Sequence, residues 1–395
     1  MQGMFEYTCV KWKKENYLEE GVRVKQYIII GAGILGASTA YHLAKAGAGV
    51  TVIDRQEPGR ATDAAAGIIC PWLSQRRNKA WYSLAKSGAA YYGSLIRQLE
   101  ADGETNTGYA QVGAISLHTD IEKLRKMEER AVKRCEDAPE IGSVHTLDPI
   151  ETAKLFPPLA SDYASVHISG AARVNGRDLR QSLVNAAGKH GATFIYGNAS
   201  LVFTDQEVTG VKVGDELYAA DRVILTAGAW AAELLAPAGI HLKISGQKAQ
   251  IVHLQLENSQ THKWPVVMPP ADQYILAFDD GRIVVGATHE DDKEFNLNVT
   301  AGGLHEILDK ALAVAPGLAE AEFVETRVGF RPFTPGFLPI IGKVPGFDNL
   351  LLANGLGASG LTVGPFLGSQ LAKLALEEQV DINLELYKIA GAIVE

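Results

Sequence analysis

The chain has 395 residues, 47% of them hydrophobic and 21% charged, a globular composition that excludes a disordered tail protein and a membrane bundle. Lys plus Arg number 37 against 46 Asp plus Glu, a formal charge of -9; with no basic stripe, a nucleic-acid partner is excluded. Three cysteines, Cys9, Cys70 and Cys135, show no Cys-x-x-Cys or Cys/His ligand spacing, so the expectation is no structural metal and a reducing cytoplasm.

The length suits two or three domains of about 100 to 200 residues. Residues 1–25 lack an apolar run of signal-peptide length and read as a mobile extension outside the fold. A buried strand is predicted over 26–30, then a glycine turn, an amphipathic helix to about 46 and a strand over 49–53, together a βαβ unit. Helices are predicted over 80–101 and 121–135, the second strongly charged and therefore at a surface. A helix over 177–189 precedes a strand over 192–196, and another buried strand spans 221–226. Strands alternating with helices predict a mostly parallel sheet.

From residue 247 the pattern changes. Residues 247–256 read as extended, and strands over 274–278 and 282–287 are joined by Asp279, Asp280 and Gly281, a hairpin signal. This predicts an antiparallel sheet in a second domain. A helix over 302–315 follows, then a strand over 349–353, a glycine run and an apolar helix to about 377 that returns to the first domain. The fold class is α/β, α+β overall. One domain is expected over 26–95, 165–237 and 325–390, the other over 96–164 and 238–324.

Glycine is 40 of 395 residues, about 10% against an average of about 7%, which points to tight turns and to backbone approaching a ligand. Gly31-Ala32-Gly33-Ile34-Leu35-Gly36 lies between a predicted strand and helix, where glycines serve a tight turn, approach to a pyrophosphate and helix–strand packing. Asp54 ends the next strand, placed to accept bonds from ribose hydroxyls. This motif alone leaves NAD and FAD open. The small-residue run Thr62 to Gly67 comes where an NAD dehydrogenase would enter its next crossover helix, and it suits backbone lying against a flat ring system. Two more small-residue strand ends, Thr226 to Trp230 and Gly355 to Gly360, suit a large extended cofactor.

Together with Gly281 to Thr288, Gly329-Phe330-Arg331-Pro332 and Pro339 to Gly342, these motifs resemble the FAD-dependent amine oxidoreductases typified by glycine oxidase, D-amino acid oxidase and sarcosine oxidase, most closely bacterial glycine oxidase. The resemblance runs from about residue 26 to 389. It implies a Rossmann-like FAD-binding domain and a substrate domain on the antiparallel sheet. The implied reaction is oxidation of a small amino acid or N-methyl amino acid, with hydride passing to flavin N5 and an imine that hydrolyses. The electron acceptor is oxygen or a quinone, and a homo-oligomer stays open.

The resemblance places Arg331 as the clamp on a substrate carboxylate, with Tyr274 assisting. The implied cofactor contacts are the 31–36 motif, Asp54 and Arg55, then Thr62, Ala65, Ala66, Gly67 and Ile68. Ala227, Gly228 and Trp230 follow, with Gly329 and Arg331, and finally Gly357, Ala358, Ser359, Gly360, Leu361 and Thr362. Gly329 stands where sarcosine oxidase has a flavin-linking cysteine, so FAD is expected to be noncovalent. Leu356 replaces a frequent histidine and Ala358 a second arginine, which puts glycine itself in question as the preferred substrate. The helix from Leu361 is expected to turn its positive end to the flavin. Cys70 and His289 are expected to be structural. Two rivals are an NAD-dependent dehydrogenase and a non-catalytic flavin-binding subunit.

Overall fold

The computed structural model describes residues 24–257, 260–291 and 294–394, so the expected extension, but for its last two residues, and Cys9 lie outside it. The described chain opens with β1 (Gln26–Ile30), α1 (Ile34–Lys45) and β2 (Gly49–Asp54). β1 is a continuous apolar run because parallel strands flank it on both sides and both faces are covered. α2 (Lys79–Ala101) and α3 (Gly176–Lys189) are capped by Asn78 and Asn175, whose side chains accept the N–H of Trp81 and of Arg177. β3 (Thr193–Tyr196) and β4 (Arg222–Leu225) follow.

β5 (Ser245–Gln255) leads to the hairpin of β6 (Tyr274–Ala277) and β7 (Arg282–Gly286), which turns through Asp280 and Gly281 at φ 58° and 80°. After a helix at Ala301–Val314 comes β8 (Glu322–Phe333), and β9 (Ile340–Lys343), β10 (Leu350–Asn354) and α4 (Gly360–Ala375) carry the chain back to its start.

The first sheet has the order β9-β10-β4-β1-β2-β3, parallel except for β9. On one face α1 packs between α3 and α4, so every residue from Ile34 to Tyr41 is buried. The approach to α4 is close: a Cβ on Gly364 would lie 2.8 Å from Ile34 Cγ2, and one on Gly368 2.6 Å from Ser38 Cβ. Pro365 inside α4 cannot donate to Leu361 O. Tyr92 Oη of α2 donates there instead, at 2.6 Å. The opposite face is closed by a meander of Ala199–Thr204, Glu207–Val213 and Glu216–Ala219, for which no element is predicted above; its Val208 and Val211 join Ile28, Ile30, Val223 and Leu225 in one core.

The second sheet has nine strands and is antiparallel apart from one parallel pair, Val266–Met268 beside Ala114–His118. β5 is its spine, pairing with β7 on one side and along its whole length with β8 on the other. The divisions expected at residues 165 and 325 fall inside Ala164–Ile168 and β8, both members of this sheet. Periodicity marks a strand but not the sheet that it joins.

Candidate active site

A cleft of about 380 Å³ opens at the carboxyl ends of β1, β2, β4 and β10, where they face the part of the second sheet that carries Arg331 and Tyr274. The glycines after β1 divide into two kinds. Gly31 adopts φ +103°, and a Cβ there would lie 2.7 Å from Thr226 O; at Gly36 it would fall 1.9 Å from Gly31 O. The chain's own packing requires both. Gly33 is different, with φ -69° and room for a Cβ whose nearest neighbour is Thr62 Oγ1 at 3.5 Å. Its missing side chain leaves a cradle at the start of α1 that only a group in the cleft would need.

Asp54 Oδ2 accepts the Ala32 N–H at 2.6 Å, while Oδ1 accepts from Gln56 N at 2.7 Å and Arg60 Nη2 at 2.5 Å. Ala32 and Gly36 therefore support the cleft without lining it. Sequence reasoning missed Arg60, which also pairs with Asp63, and Arg180, whose Nε donates to Ala32 O. An arginine flanked by Asp54 and Asp63 was the available signal for Arg60. Arg55 pairs with Glu57 and Glu233 and lies 5.8 Å from the centre of the Trp230 ring.

Thr62 Oγ1 accepts the Ile34 N–H at 3.0 Å, tying the small-residue run to the start of α1. Ala65, Ala66, Gly67 and Ile68 continue this wall, with Gly67 at φ +90° so that Val174 N can reach its carbonyl at 2.8 Å. Opposite stand Ala227, Gly228 and Trp230. Asn354, also missed, donates to Gly228 O at 2.8 Å and locks two strand ends together. Gly357, Ala358, Gly360, Leu361 and Thr362 line the cleft, whereas Ser359 is turned away and accepts the Trp81 Nε1–H at 3.0 Å. Neither Gly33 nor Ser359 supplies a side-chain cap, so α1 and α4 both begin at the cleft and present their positive ends to it.

β8 brings Gly329 and Arg331 to the far end. A Cβ on Gly329 would lie 2.8 Å from Ala64 Cβ, so glycine lets β8 lie against the short helix Ala61–Ala64 and no thiol stands there. Arg331 is opposite Gln247 in register, and its Nη1 donates to Gln247 Oε1 at 3.3 Å and to Thr288 O at 3.5 Å. Tyr274 borders it: burial pushes the phenol up to about 12, against the pull of the Arg331 charge and hydrogen bond. His289 also lines the cleft, its Nδ1 3.6 Å from Asp272 Oδ2. Burial and the Arg331 charge lower its pKa, and Asp272 opposes them. Cys70 lines a neighbouring cavity instead, its thiol pushed up to about 12 by burial.

Among the described residues no group of three or more His, Cys, Asp or Glu side chains is arranged to hold a metal, and no helix is long and apolar enough to cross a membrane.

Comparison with known proteins gives a consistent result. The chain is 67% identical over 371 residues to an uncharacterized oxidoreductase, YurR, of Bacillus subtilis, covering 94% of this chain and 100% of that one. It is 30% identical over 378 residues to the glycine oxidase of Pseudomonas aeruginosa, covering 93% and 100%. The crystal structure of iminodiacetate oxidase from Chelativorans sp. BNC1 superposes with a TM-score of 0.89 at 48% identity, over 92% of this chain and 98% of that one. Residues 26–374 match the family model described as FAD dependent oxidoreductase. The nicotinamide alternative is thereby overturned: the chain belongs to the DAO family of FAD dependent oxidoreductases.

Proposed function

We propose that the protein oxidises a small amino acid, free or substituted on nitrogen, at its Cα–N bond. The observation that carries this reading is Arg331, a guanidinium at the end of the cleft beside Tyr274. The cleft suits FAD: the Gly33 cradle and the start of α1 suit the pyrophosphate, Asp54 with Arg60 the ribose, and the small residues from Ala64 to Gly67 a flat ring. Bound FAD supplies the two-electron acceptor for the hydride that leaves Cα.

The chain's own part is orientation. A planar guanidinium binds a carboxylate through two parallel hydrogen bonds, which fixes a substrate with few other handles. Tyr274, with its phenol held up to about 12, remains a neutral donor at physiological pH. His289, with its pKa lowered, adds no second positive charge there at neutral pH. As the hydride departs, the nitrogen lone pair closes a C=N bond and the N–H proton is released. Water then splits the imine into a carbonyl compound and an amine, and the electrons pass on to oxygen or a quinone. The relatives named glycine oxidase and iminodiacetate oxidase support a glycine unit in the substrate.

Replacing Arg331 tests this. Arg331→Leu is expected to lose about 2 to 5 kcal/mol of transition-state binding, roughly a 30-fold to several-thousand-fold fall in kcat/KM, with flavin content unchanged. Arg331→Lys should recover little, because it keeps the charge and loses the fork. Wild-type efficiency in Arg331→Leu, or loss of its FAD, overturns the assignment.

A further inference from the structure

A second cavity, of about 440 Å³, adjoins the cleft and shares Ile68, Ala358 and Thr362 with it. That volume is far more than an N-methyl group needs. Its remaining walls come from the segment 70–75, from α2 through Trp81 and Ala85, and from Ser116, Met127 and the segment 268–271. None of these lining residues is ionised at neutral pH: Cys70 is held as a thiol by burial, and the polar groups are hydroxyls and the Gln75 carboxamide. Ser359 accepts from Trp81 Nε1 and so keeps its own hydroxyl proton to donate.

Two arginines abut the walls from behind, without lining the cavity. Arg76 stacks 4.5 Å from the centre of the Trp81 ring and donates to Phe337 O at 3.3 Å. Arg134 donates to the carbonyls of Trp72 and Ser74. A second carboxylate in this cavity would find no free guanidinium among the lining residues, and desolvating it unpaired is costly. An uncharged group with a few hydroxyls meets matching partners. Of the three residues that border both spaces, Ile68, Ala358 and Thr362, Ala358 has the smallest side chain.

Resting on the function proposed above, we propose that this cavity is a specificity pocket for an uncharged substituent of several non-hydrogen atoms on the substrate amino acid. The substrate class is then an amino acid extended on nitrogen or on Cα by an apolar or hydroxylated chain. Arg331 holds the carboxylate while the extension crosses Ala358 into the space bounded by Ser116, Met127 and Met268.

The test uses the holoenzyme and two substrate series without oxygen. One runs from sarcosine through N-ethyl- and N-butylglycine to N-(2-hydroxyethyl)glycine. The other runs from alanine to norleucine in both enantiomers. For each, the rate of flavin bleaching gives the reaction and the spectral perturbation gives Kd.

One series is expected to gain roughly tenfold or more in the ratio of bleaching rate to Kd from its shortest to its longest member, and which series gains tells nitrogen from Cα. Iminodiacetate should fall below the best uncharged member. Ser116→Leu, which narrows the pocket, should cut the long-to-short selectivity ratio about tenfold, and Ala271→Phe, another lining position, is the second variant if the first folds poorly. No gain with length in either series, an iminodiacetate preference, or an unchanged ratio in folded variants overturns the proposal. If no member bleaches the flavin, the functional reading falls by itself. Kd then decides the pocket: tightening with length upholds it, and a flat Kd ends it.

Discussion

Gly33 and Gly36 stand three residues apart in one turn and answer to different constraints. A Cβ on Gly36 would fall 1.9 Å from a backbone oxygen, so the fold itself excludes a side chain there. At Gly33 the nearest contact would be 3.5 Å, so the fold tolerates one and only an occupant of the cleft does not. Gly33→Val is therefore expected to fold with close to wild-type thermal stability as apoprotein and to purify with little flavin. Gly36→Val should lose about 3 kcal/mol or more of stability, since backbone must shift to admit it. Thermal melts of the apoproteins with flavin absorbance of the purified proteins check both. A Gly33→Val protein that retained full FAD would remove the pyrophosphate from the start of α1.

At the scale of elements, α1, α2 and α4 meet around one partly buried histidine. His42 on α1 is hydrogen-bonded through Nε2 to Tyr91 Oη on α2 at 2.8 Å, and Tyr91 packs 5.7 Å from Phe366 of α4. Burial, reinforced by Lys45 and Lys373, lowers His42 from 6.5 to about 4. The unfolded chain takes up the proton near 6.5 and the folded one resists it until about 4. This contribution is therefore fully present above pH 6.5 and is lost as the pH falls to 4, by about 3 kcal/mol. His42→Gln, which cannot titrate, should flatten the fall in unfolding free energy between pH 7 and 4.5 relative to wild type. Denaturant titrations across that range measure it, and parallel slopes in the two proteins would show that His42 carries none of the acid sensitivity. The same helices explain α4: with Pro365 breaking its ladder, Tyr92 Oη donates the missing bond to Leu361 O, and Ser38 Oγ of α1 donates to Pro365 O. Its start consequently stays fixed at the cleft.

At the scale of the whole molecule, the local code was legible and the long-range code was not. The βαβ unit, the Asp280-Gly281 hairpin and the returning strand and helix follow from periodicity and turn chemistry within short windows. The pairing of β8 with β5 does not, because it joins residues about 80 positions apart through packing. It is this pairing that sets Arg331 opposite Gln247. Arg180 and Asn354 escaped notice for the same reason: each donates to a backbone carbonyl that only the folded chain brings near, whereas the carboxylate partners of Arg60 lie close to it in sequence. The second cavity is assembled from six separate segments and has no sequence signature at all. The central claim is that the FAD of this cleft is reduced by an amine whose carboxylate is held by Arg331. Anaerobic titration of the holoenzyme tests it most directly, with each amino acid paired with the amine left by its decarboxylation: glycine with methylamine, sarcosine with dimethylamine, N-butylglycine with N-methylbutylamine. The account predicts that at least one amino acid bleaches the visible flavin band and that its decarboxylated partner leaves the band intact. Equal bleaching by the two members of a pair, or none by any amino acid tried, would contradict it.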